Sequence, residues 1–202
     1  MSVVPSRPPA AAASPLDRVL REDEPPAQQA KVSAAFTIYL FNQIVRRTAC
    51  PSWDEWEARL AAMGKAAGIR SMGLAAATDR TYKSTRPTTC DDVVKMVATC
   101  MWRRWFGEPL PKDCYGPSDA VHFINDVNPV LCPLRPRQSE GDLNLCSYVG
   151  GMIHGVLETS GFPCKVTAVY THPNDAFTPS AQYIIEWTPI AMDRSRRKMA
   201  PS

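Results

Sequence analysis

The chain has 202 residues, of which 45% are hydrophobic and 21% charged, a composition that fits one globular domain and excludes a wholly disordered or collagen-like chain. Lysine plus arginine number 23 against 20 acidic residues, an excess too small and too dispersed to indicate a nucleic-acid-binding protein. No apolar run approaches the roughly 20 residues that a membrane span needs, and the first residues lack the basic-then-apolar order of a secretory signal.

Residues 1–31 are predicted to form a disordered Pro/Ala-rich tail. Proline removes amide donors, and this segment has few large apolar side chains to offset the entropy of ordering. A short docking helix over Leu16–Arg21 is the alternative interpretation. The remaining chain is predicted to comprise one domain over residues 32–192 and a basic C-terminal tail over residues 193–202.

Two helices are predicted next. Ser33 suits the N-cap of the first helix, and Pro51 prevents that helix from continuing past Cys50. Ser52 and Glu55 form the S-x-x-E capping box that starts the second helix. Apolar residues at helical spacing give each helix one face, formed by Phe36, Tyr39, Leu40 and Ile44 in the first and by Trp53, Trp56, Leu60, Met63 and Ala67 in the second.

Three glycines, Gly64, Gly68 and Gly73, lie inside the second helix. Each costs about 0.5–1 kcal/mol relative to alanine inside a helix. Two explanations stay open: another element packs very close to this backbone, or the helix breaks near Gly68. Small residues beside a broad apolar stripe also favour contact with a partner helix.

The third helix is predicted to start at Thr89, which has Asp92 three residues on, and to end at Gly107. Trp102 and Trp105 continue its apolar stripe. The arginines between them also fit a nucleic-acid surface, but packing in the core is the favoured interpretation, and nucleic acid is not a predicted partner.

Lys112–Ser118 is predicted to be a turn. The other elements predicted are one or two short strands over 120–131, a helix over 142–159, and strands over 165–170 and 182–188. The long connection over 171–181 is expected to project from the fold. Helices segregated from adjacent strands favour an α+β fold with an antiparallel sheet.

The seven cysteines include no C-x-x-C pair, so a structural zinc site is not predicted, and their odd number favours reduced thiols in the cytosol. The sequence contains no P-loop, no G-x-G-x-x-G after a strand, no H-E-x-x-H and no G-x-S-x-G. Cys146 and His154 lie roughly 80° apart on their predicted helix, a poor geometry for a nucleophile pair. We predict no enzyme, no cofactor and no metal site.

A compact basic run lies near the C-terminus. It is interpreted either as a solvated tail end or as a contact with an anionic membrane face, worth about 1 kcal/mol per charge, or with the tail of a GTPase. Its members are Arg194, Arg196, Arg197 and Lys198.

Residues Asn144–Thr167, NLCSYVGGMIHGVLETSGFPCKVT, resemble the signature of the small core subunits of the transport protein particle (TRAPP), of the subunit 5 type. Further segments are similar to that family in the same order, so that the resemblance covers about residues 32–198. They are AAFTIYLFNQIVRR from Ala34, LAAMGKAAGIR from Leu60, WRRWFGEP from Trp102 and HFINDVNPVL from His122.

The resemblance implies an α/β plait, in which helices lie on one side of a twisted antiparallel sheet, and a heterodimer formed through the first two helices. The partner interface that it implies in this chain comprises Phe36, Tyr39, Leu40, Gln43, Trp56, Leu60, Met63, Gly64 and Ala67.

The resemblance also implies a function: a non-catalytic core scaffold of the complex that tethers vesicles between the ER and the Golgi and exchanges nucleotide on a Rab GTPase. Implied partners are the founding, acyl-binding small subunit, the longin-type end subunit and, through the assembled complex, the Rab. The implied location is cytoplasmic, peripheral on cis-Golgi and ER–Golgi membranes.

The founding subunit of the family is acylated on a cysteine before its third helix. The matching position here falls near Pro87, and the neighbouring Cys90 is predicted to begin the helix, so the resemblance does not carry acylation over. An apolar small-molecule or lipid-binding module of the related 4-vinyl-reductase-like superfold, with a cavity between helices and sheet, is the alternative function.

Overall fold

The structure is a computed structural model that describes residues 34–78, 87–107, 110, 114–127, 129, 143–171 and 180–199. Within these ranges, the side chains of residues 34–38, 115, 117, 171, 198 and 199 are outside the description. Residues 38–202 cluster as one compact unit, and residues 1–37 are grouped separately. The predicted N-terminal tail, its alternative docking helix and most of the predicted 171–181 projection lie outside the described residues.

The helices follow the predicted order. Helix α1 is Ala34–Arg47 and α2 is Trp53–Thr78, which runs for 26 residues without interruption, so the suggested break near Gly68 is wrong. Helix α3 consists of Cys90–Met96, a π-helical turn at Val97–Met101, and Trp102–Phe106. Helix α4 is Cys146–Thr159 and α5 is Pro189–Met199. None of the helices in the described ranges combines the length and apolar character that would let it cross a membrane.

Four strands form one antiparallel sheet in the order β1-β2-β4-β3. Their bounds are Cys114–Ser118 for β1, Val121–Asp126 for β2, Cys164–Thr171 for β3 and Ser180–Trp187 for β4. The prediction of a turn over Lys112–Ser118 is therefore wrong from Cys114 onward. The segment contains Gly116 and Pro117, which are typical of turns. However, β1 is an edge strand whose register shifts between Tyr115 and Ser118, and edges and irregular pairing tolerate both residue types.

The described helices α3 and α4 pack on one face of the sheet. On β2 and β4 the residues facing this side are buried and alternate with partly exposed residues on the other side. The Trp102 ring of α3 lies 6.0 Å from the Tyr183 ring, and a Cβ at Gly150 of α4 would lie 3.3 Å from that of Ala168. The predicted α+β class, with helices on one side of an antiparallel sheet, is confirmed.

Helix α3 begins and ends as its sequence predicts. The Thr89 hydroxyl accepts the Asp92 amide, and the Asp92 carboxylate accepts the Thr89 amide, which completes the capping box. Gly107 ends the helix with φ 90°, in the left-handed region that favours glycine. Trp102 is buried against Phe106, so its interpretation as a core residue is confirmed.

The predicted basic tail from residue 193 is wrong over 193–199, because these residues belong to α5. Thr188 and Pro189 start this helix: proline favours the first helical position, and the Met192 amide donates to the Thr188 carbonyl. Ala191 and Ser195, one turn apart, are both buried. The four positive charges on the segment hid this helical pattern from the sequence analysis.

The Asp92 capping contact generates a pH dependence. The Thr89 side chain, helped by the amides of Thr88 and Thr89 and by the Thr88 hydroxyl, holds the pKa of Asp92 below its ordinary value. A lowered pKa contributes stability that is complete above the ordinary value and is lost as pH falls through the folded-state value. We expect Asp92→Asn to lose about 1 kcal/mol near neutral pH and less below pH 3, measured by urea unfolding at each pH. Asp54→Asn, in the first turn of α2, is the control; equal losses at pH 3 and pH 7 for Asp92→Asn would contradict this assignment.

Candidate partner interface

Helices α2 and α4 touch backbone to backbone. Gly64 and Gly68 of α2 and Gly151 and Gly155 of α4 lie at the crossing, one turn apart in each helix. A Cβ on any of them would collide with a carbonyl oxygen of the opposite helix, belonging in turn to Tyr148, Met152, Ala61 and Lys65. The close packing predicted for Gly64 and Gly68 is thus within this chain.

The backbone contact between α2 and α4, called the α2–α4 seam below, shows that part of the predicted partner interface is wrong. Leu60 is completely buried, and Gly64 lies against the Tyr148 carbonyl of α4. Both residues are covered by the chain itself, so their assignment to a partner surface is wrong. Sequence periodicity detected their apolar face but could not show that α4, some 85 residues later, covers it.

The opposite face of α2 carries exposed apolar and small residues. Met63, Ile69 and Leu74 are exposed, with 54% of the Leu74 surface accessible. The third glycine of α2, Gly73, lies on this face, and a Cβ there would meet no atom within 4 Å. Among the exposed positions of α2 from residue 58 onward, only Arg59 and Arg70 are charged. The sequence analysis omitted Ile69 and Leu74, although Leu74 lies about three helical turns after Met63 and therefore on the same side of the helix.

Helix α1 also divides into two faces. Phe41 and Val45 are buried, and the Phe41 ring meets the Tyr148 ring edge-on at 5.1 Å. Tyr39 and Leu40 are exposed at 62% and 51%, and Gln43 is half-buried. Phe36 lies within α1, but its side chain is outside the described part of the chain.

The two remaining predicted interface residues are half-buried. Trp56 stacks on Trp53 at 5.6 Å, and its indole N–H donates to the Thr48 hydroxyl, which fixes the turn between α1 and α2. Ala67 precedes Gly68 in α2 and is half-buried. Of the predicted set, the structure therefore places Tyr39, Leu40 and Met63 on the surface.

The basic residues of α5 do not act as one patch. Arg194 donates from Nη1 to the Ser160 and Gly161 carbonyls, at 3.1 and 2.7 Å, and its guanidinium lies 4.3 Å from the centre of the Phe162 ring. The interpretation of Arg194 as part of a solvated tail end is therefore wrong, and its assignment to a membrane or GTPase contact stays a prediction. Arg196 is exposed, 4.0 Å from Asp119, and Arg197 is also exposed. Lys198 lies in α5 with its side chain outside the description.

The cysteine and histidine candidates lie apart. Cys146 is completely buried at the start of α4. His154 is half-buried farther along α4, with Nε2 4.0 Å from Glu158 Oε2, and Lys65 forms an ion pair with the same carboxylate. Burial, with Lys65 nearby, lowers the pKa of His154, and Lys65 lowers that of Glu158. Lys65, His154 and Glu158 thus form a polar cluster between α2 and α4.

Cys90 begins α3, as predicted, and is buried. Its amide donates to the Ser195 hydroxyl at 3.2 Å, and burial raises the pKa of its thiol. A raised pKa keeps the sulfur in its unreactive protonated form.

Comparison with known proteins decides the family. The family model described as Transport protein particle (TRAPP) component matches residues 36–188. The chain is a member of the TRAPP family. It is 24% identical over 161 residues to trafficking protein particle complex subunit 5 of Dictyostelium discoideum, covering 78% of this chain and 86% of that protein. It is 29% identical over 142 residues to subunit 5 of Mus musculus, covering 68% and 74%. The predicted resemblance to the subunit 5 type of TRAPP is confirmed, and with it an assignment to vesicle trafficking.

A solved TRAPP structure shows the same fold. Subunit 3 of the trafficking protein particle complex from Naegleria fowleri, covalently bound to palmitic acid, superposes with a TM-score of 0.57 at 14% identity, covering 78% of this chain and 93% of that one. Family membership and this fold together support a subunit of the TRAPP complex.

The glycine seam generates a paired prediction. We expect Gly64→Ala to lower the free energy of unfolding by about 2–3 kcal/mol or more, because its methyl group would displace the α4 backbone. Gly73→Ala, in the same helix but facing open space, should raise it by about 0.5–1 kcal/mol. Urea unfolding of the two variants measures both effects. Equal effects of the two substitutions would show that the α2–α4 contact does not require glycine.

Proposed function

We propose that this chain is a non-catalytic scaffold subunit of the TRAPP core, and that the exposed faces of α1 and α2 bind a second small subunit of the complex. The observation that carries this proposal is the outer face of α2. From residue 58 onward its exposed positions are small or apolar except for Arg59 and Arg70, and the described part of the chain leaves Met63, Gly73 and Leu74 uncovered.

The glycines of α2 occur in two different environments. Gly64 and Gly68 have a reason within the chain, since side chains there would strike α4. Gly73 has no such reason, although glycine costs about 0.5–1 kcal/mol relative to alanine in a helix. A partner helix that approaches the α2 backbone closely, between Met63 and Leu74, would explain why glycine occupies position 73. Exposed apolar side chains on an uncovered helix face are typical of a protein interface.

The partner proposed is the founding, acyl-binding type of small TRAPP subunit, with the longin-type subunit meeting another surface. Through the assembled complex, the chain would take part in vesicle tethering between ER and Golgi and in nucleotide exchange on a Rab GTPase, at peripheral Golgi membranes. These assignments rest on the resemblance of the chain to its family. Palmitic acid belongs to the relative that holds it, and the buried Cys90 thiol argues against an equivalent acyl group here.

The exposed Arg196 and Arg197 form the remaining candidate contact with an anionic membrane or a GTPase tail. At about 1 kcal/mol per charge near an anionic surface, two arginines supply only weak attachment. We therefore propose that this contact acts only together with the other subunits of the complex.

The alternative, a lipid-binding or small-molecule-binding module, requires an apolar cavity between the helices and the sheet. In the described part of the chain, that space is filled by buried side chains of α4 and β4, among them Val149, Ile153 and Ile185. This packing favours the scaffold role.

The test is co-expression with the acyl-binding small subunit from the same source. The unmodified chain should co-purify as a 1:1 heterodimer by size-exclusion chromatography with light scattering. Leu74→Arg should weaken the heterodimer at least about 100-fold, because it places a charge in the centre of an apolar interface, while the circular dichroism of the fold stays unchanged.

The matched control is Ile190→Arg, which introduces the same charge at an apolar residue of α5 that is 73% exposed. This variant should bind the partner like the unmodified chain. A heterodimer that survives Leu74→Arg, or an unmodified chain that stays monomeric beside this partner, would refute the proposed interface.

A further inference from the structure

Helix α5 holds the ends of two other helices through neighbouring residues. Arg194 reaches the C-terminal end of α4, and Ser195 reaches the first residue of α3. The last four carbonyls and the first four amides of any helix lack partners within that helix. One short helix at the end of the chain thus completes hydrogen bonding at two other helix ends.

The contact at α4 is specific. The Gly161 amide donates to the Glu158 carbonyl and the Phe162 amide to the Leu157 carbonyl, a Schellman arrangement in which Gly161 has φ 83°. Arg194 then takes the next two carbonyls, those of Ser160 and Gly161. A Cβ on Gly161 would collide with this guanidinium, so the glycine also makes room for Arg194.

The contact at α3 involves a buried cysteine. The Ser195 hydroxyl accepts the Cys90 amide at 3.2 Å, and the Cys90 sulfur lies 3.8 Å from the Ala191 carbonyl. Both partners belong to α5. Cys90 is only 4% exposed because α5 covers it.

The surface beneath α5 is held independently of it. His122 of β2 lies between Asp91 and Trp187: its Nε2 is 2.6 Å from Asp91 Oδ1, and its Nδ1 accepts the Trp187 indole N–H at 2.7 Å. These bonds join α3, β2 and β4 without any residue of α5.

The packing of α5 is correspondingly polar. Ala191 is its one completely buried apolar side chain in the described residues, Met192 is half-buried, and Ile190 is exposed. Between α5 and the surface beneath it lies a partly open cleft of about 40 Å³, lined in part by Cys90, Asp91, Asp119 and Arg196. Lifting α5 would withdraw two apolar side chains, Ala191 and Met192, from the core, whereas water can replace many of its polar contacts.

We propose that α5 is a polar latch: it opens as a unit about Thr188 while the sheet and the other helices stay folded, and its opening uncaps α3 and α4 and uncovers the Cys90 thiol. Local opening of this kind is expected where apolar contacts are few and hydrogen bonds hold a segment at its margin. The latch does not depend on the partner interface, because its contacts involve neither α1 nor α2.

The test compares two buried thiols of the full-length chain. Cys90 lies under α5, whereas Cys146 is completely buried in α4. Under native conditions, N-ethylmaleimide labelling of each cysteine is followed by peptide mass spectrometry, relative to its rate in the unfolded chain. Cys90 should label faster than Cys146, and its rate should rise less steeply with urea, because local opening exposes less surface than global unfolding.

Three variants distinguish local opening of α5 from global unfolding. Arg194→Ala should speed Cys90 labelling about 10- to 100-fold, the effect of losing a charge-assisted hydrogen-bond pair. Ile153→Val, a small core deletion in α4, should speed Cys146 labelling and leave Cys90 unchanged, because α5 opens without disturbing that core. Arg197→Ala, on the exposed side of α5, should change neither rate.

Equal labelling rates and equal urea slopes for Cys90 and Cys146 in the unmodified chain would overturn the latch, since both thiols would then be reached only through global unfolding. An unchanged Cys90 rate in Arg194→Ala would overturn it as well. If Arg194→Ala does not fold, Ser195→Ala tests the same latch from the other helix end, and the urea series on the unmodified chain decides independently.

Discussion

The contact between the backbones of α2 and α4 is the constraint on which the rest of the structure depends. Four glycines let the two helices approach until carbonyl oxygens of one lie where side chains of the other would be. Helix α4 then has α2 on one side and the sheet on the other, with Gly150 and Gly151 serving the two contacts. Because α4 covers one face of α2 so completely, the opposite face of α2 is left outward, and that face is the one we assign to a partner subunit.

A family of interacting subunits makes different demands on the two faces of α2. The inner face must fit a fixed neighbour in the same chain, and its glycines leave almost no tolerance for change. The outer face must stay soluble enough to meet its partner and apolar enough to hold it. Its mixture of alanines, Gly73 and a few larger apolar side chains, with only two arginines among the exposed positions from residue 58 onward, is a compromise between these demands.

Much of the fold could be predicted because its signals are local. The Thr89–Asp92 capping box, Gly107 and Gly161 mark helix ends by chemistry that acts within a few residues. The errors arose where distant residues decide. Leu60 and Gly64 have the pattern of an interface, and only the folded position of α4 shows that the chain covers them itself. Likewise, Arg194 looked like part of a solvated basic run, although its partners are carbonyls more than 30 residues earlier.

The hydrogen bonds of His122 also fix which of its nitrogens carries a proton. An indole N–H can only donate, so the Nδ1 that receives it from Trp187 must be bare, and the proton on the neutral ring sits on Nε2, directed at Asp91. The neutral imidazole is therefore held as a single tautomer, and its two hydrogen bonds connect β4 to the start of α3 through β2.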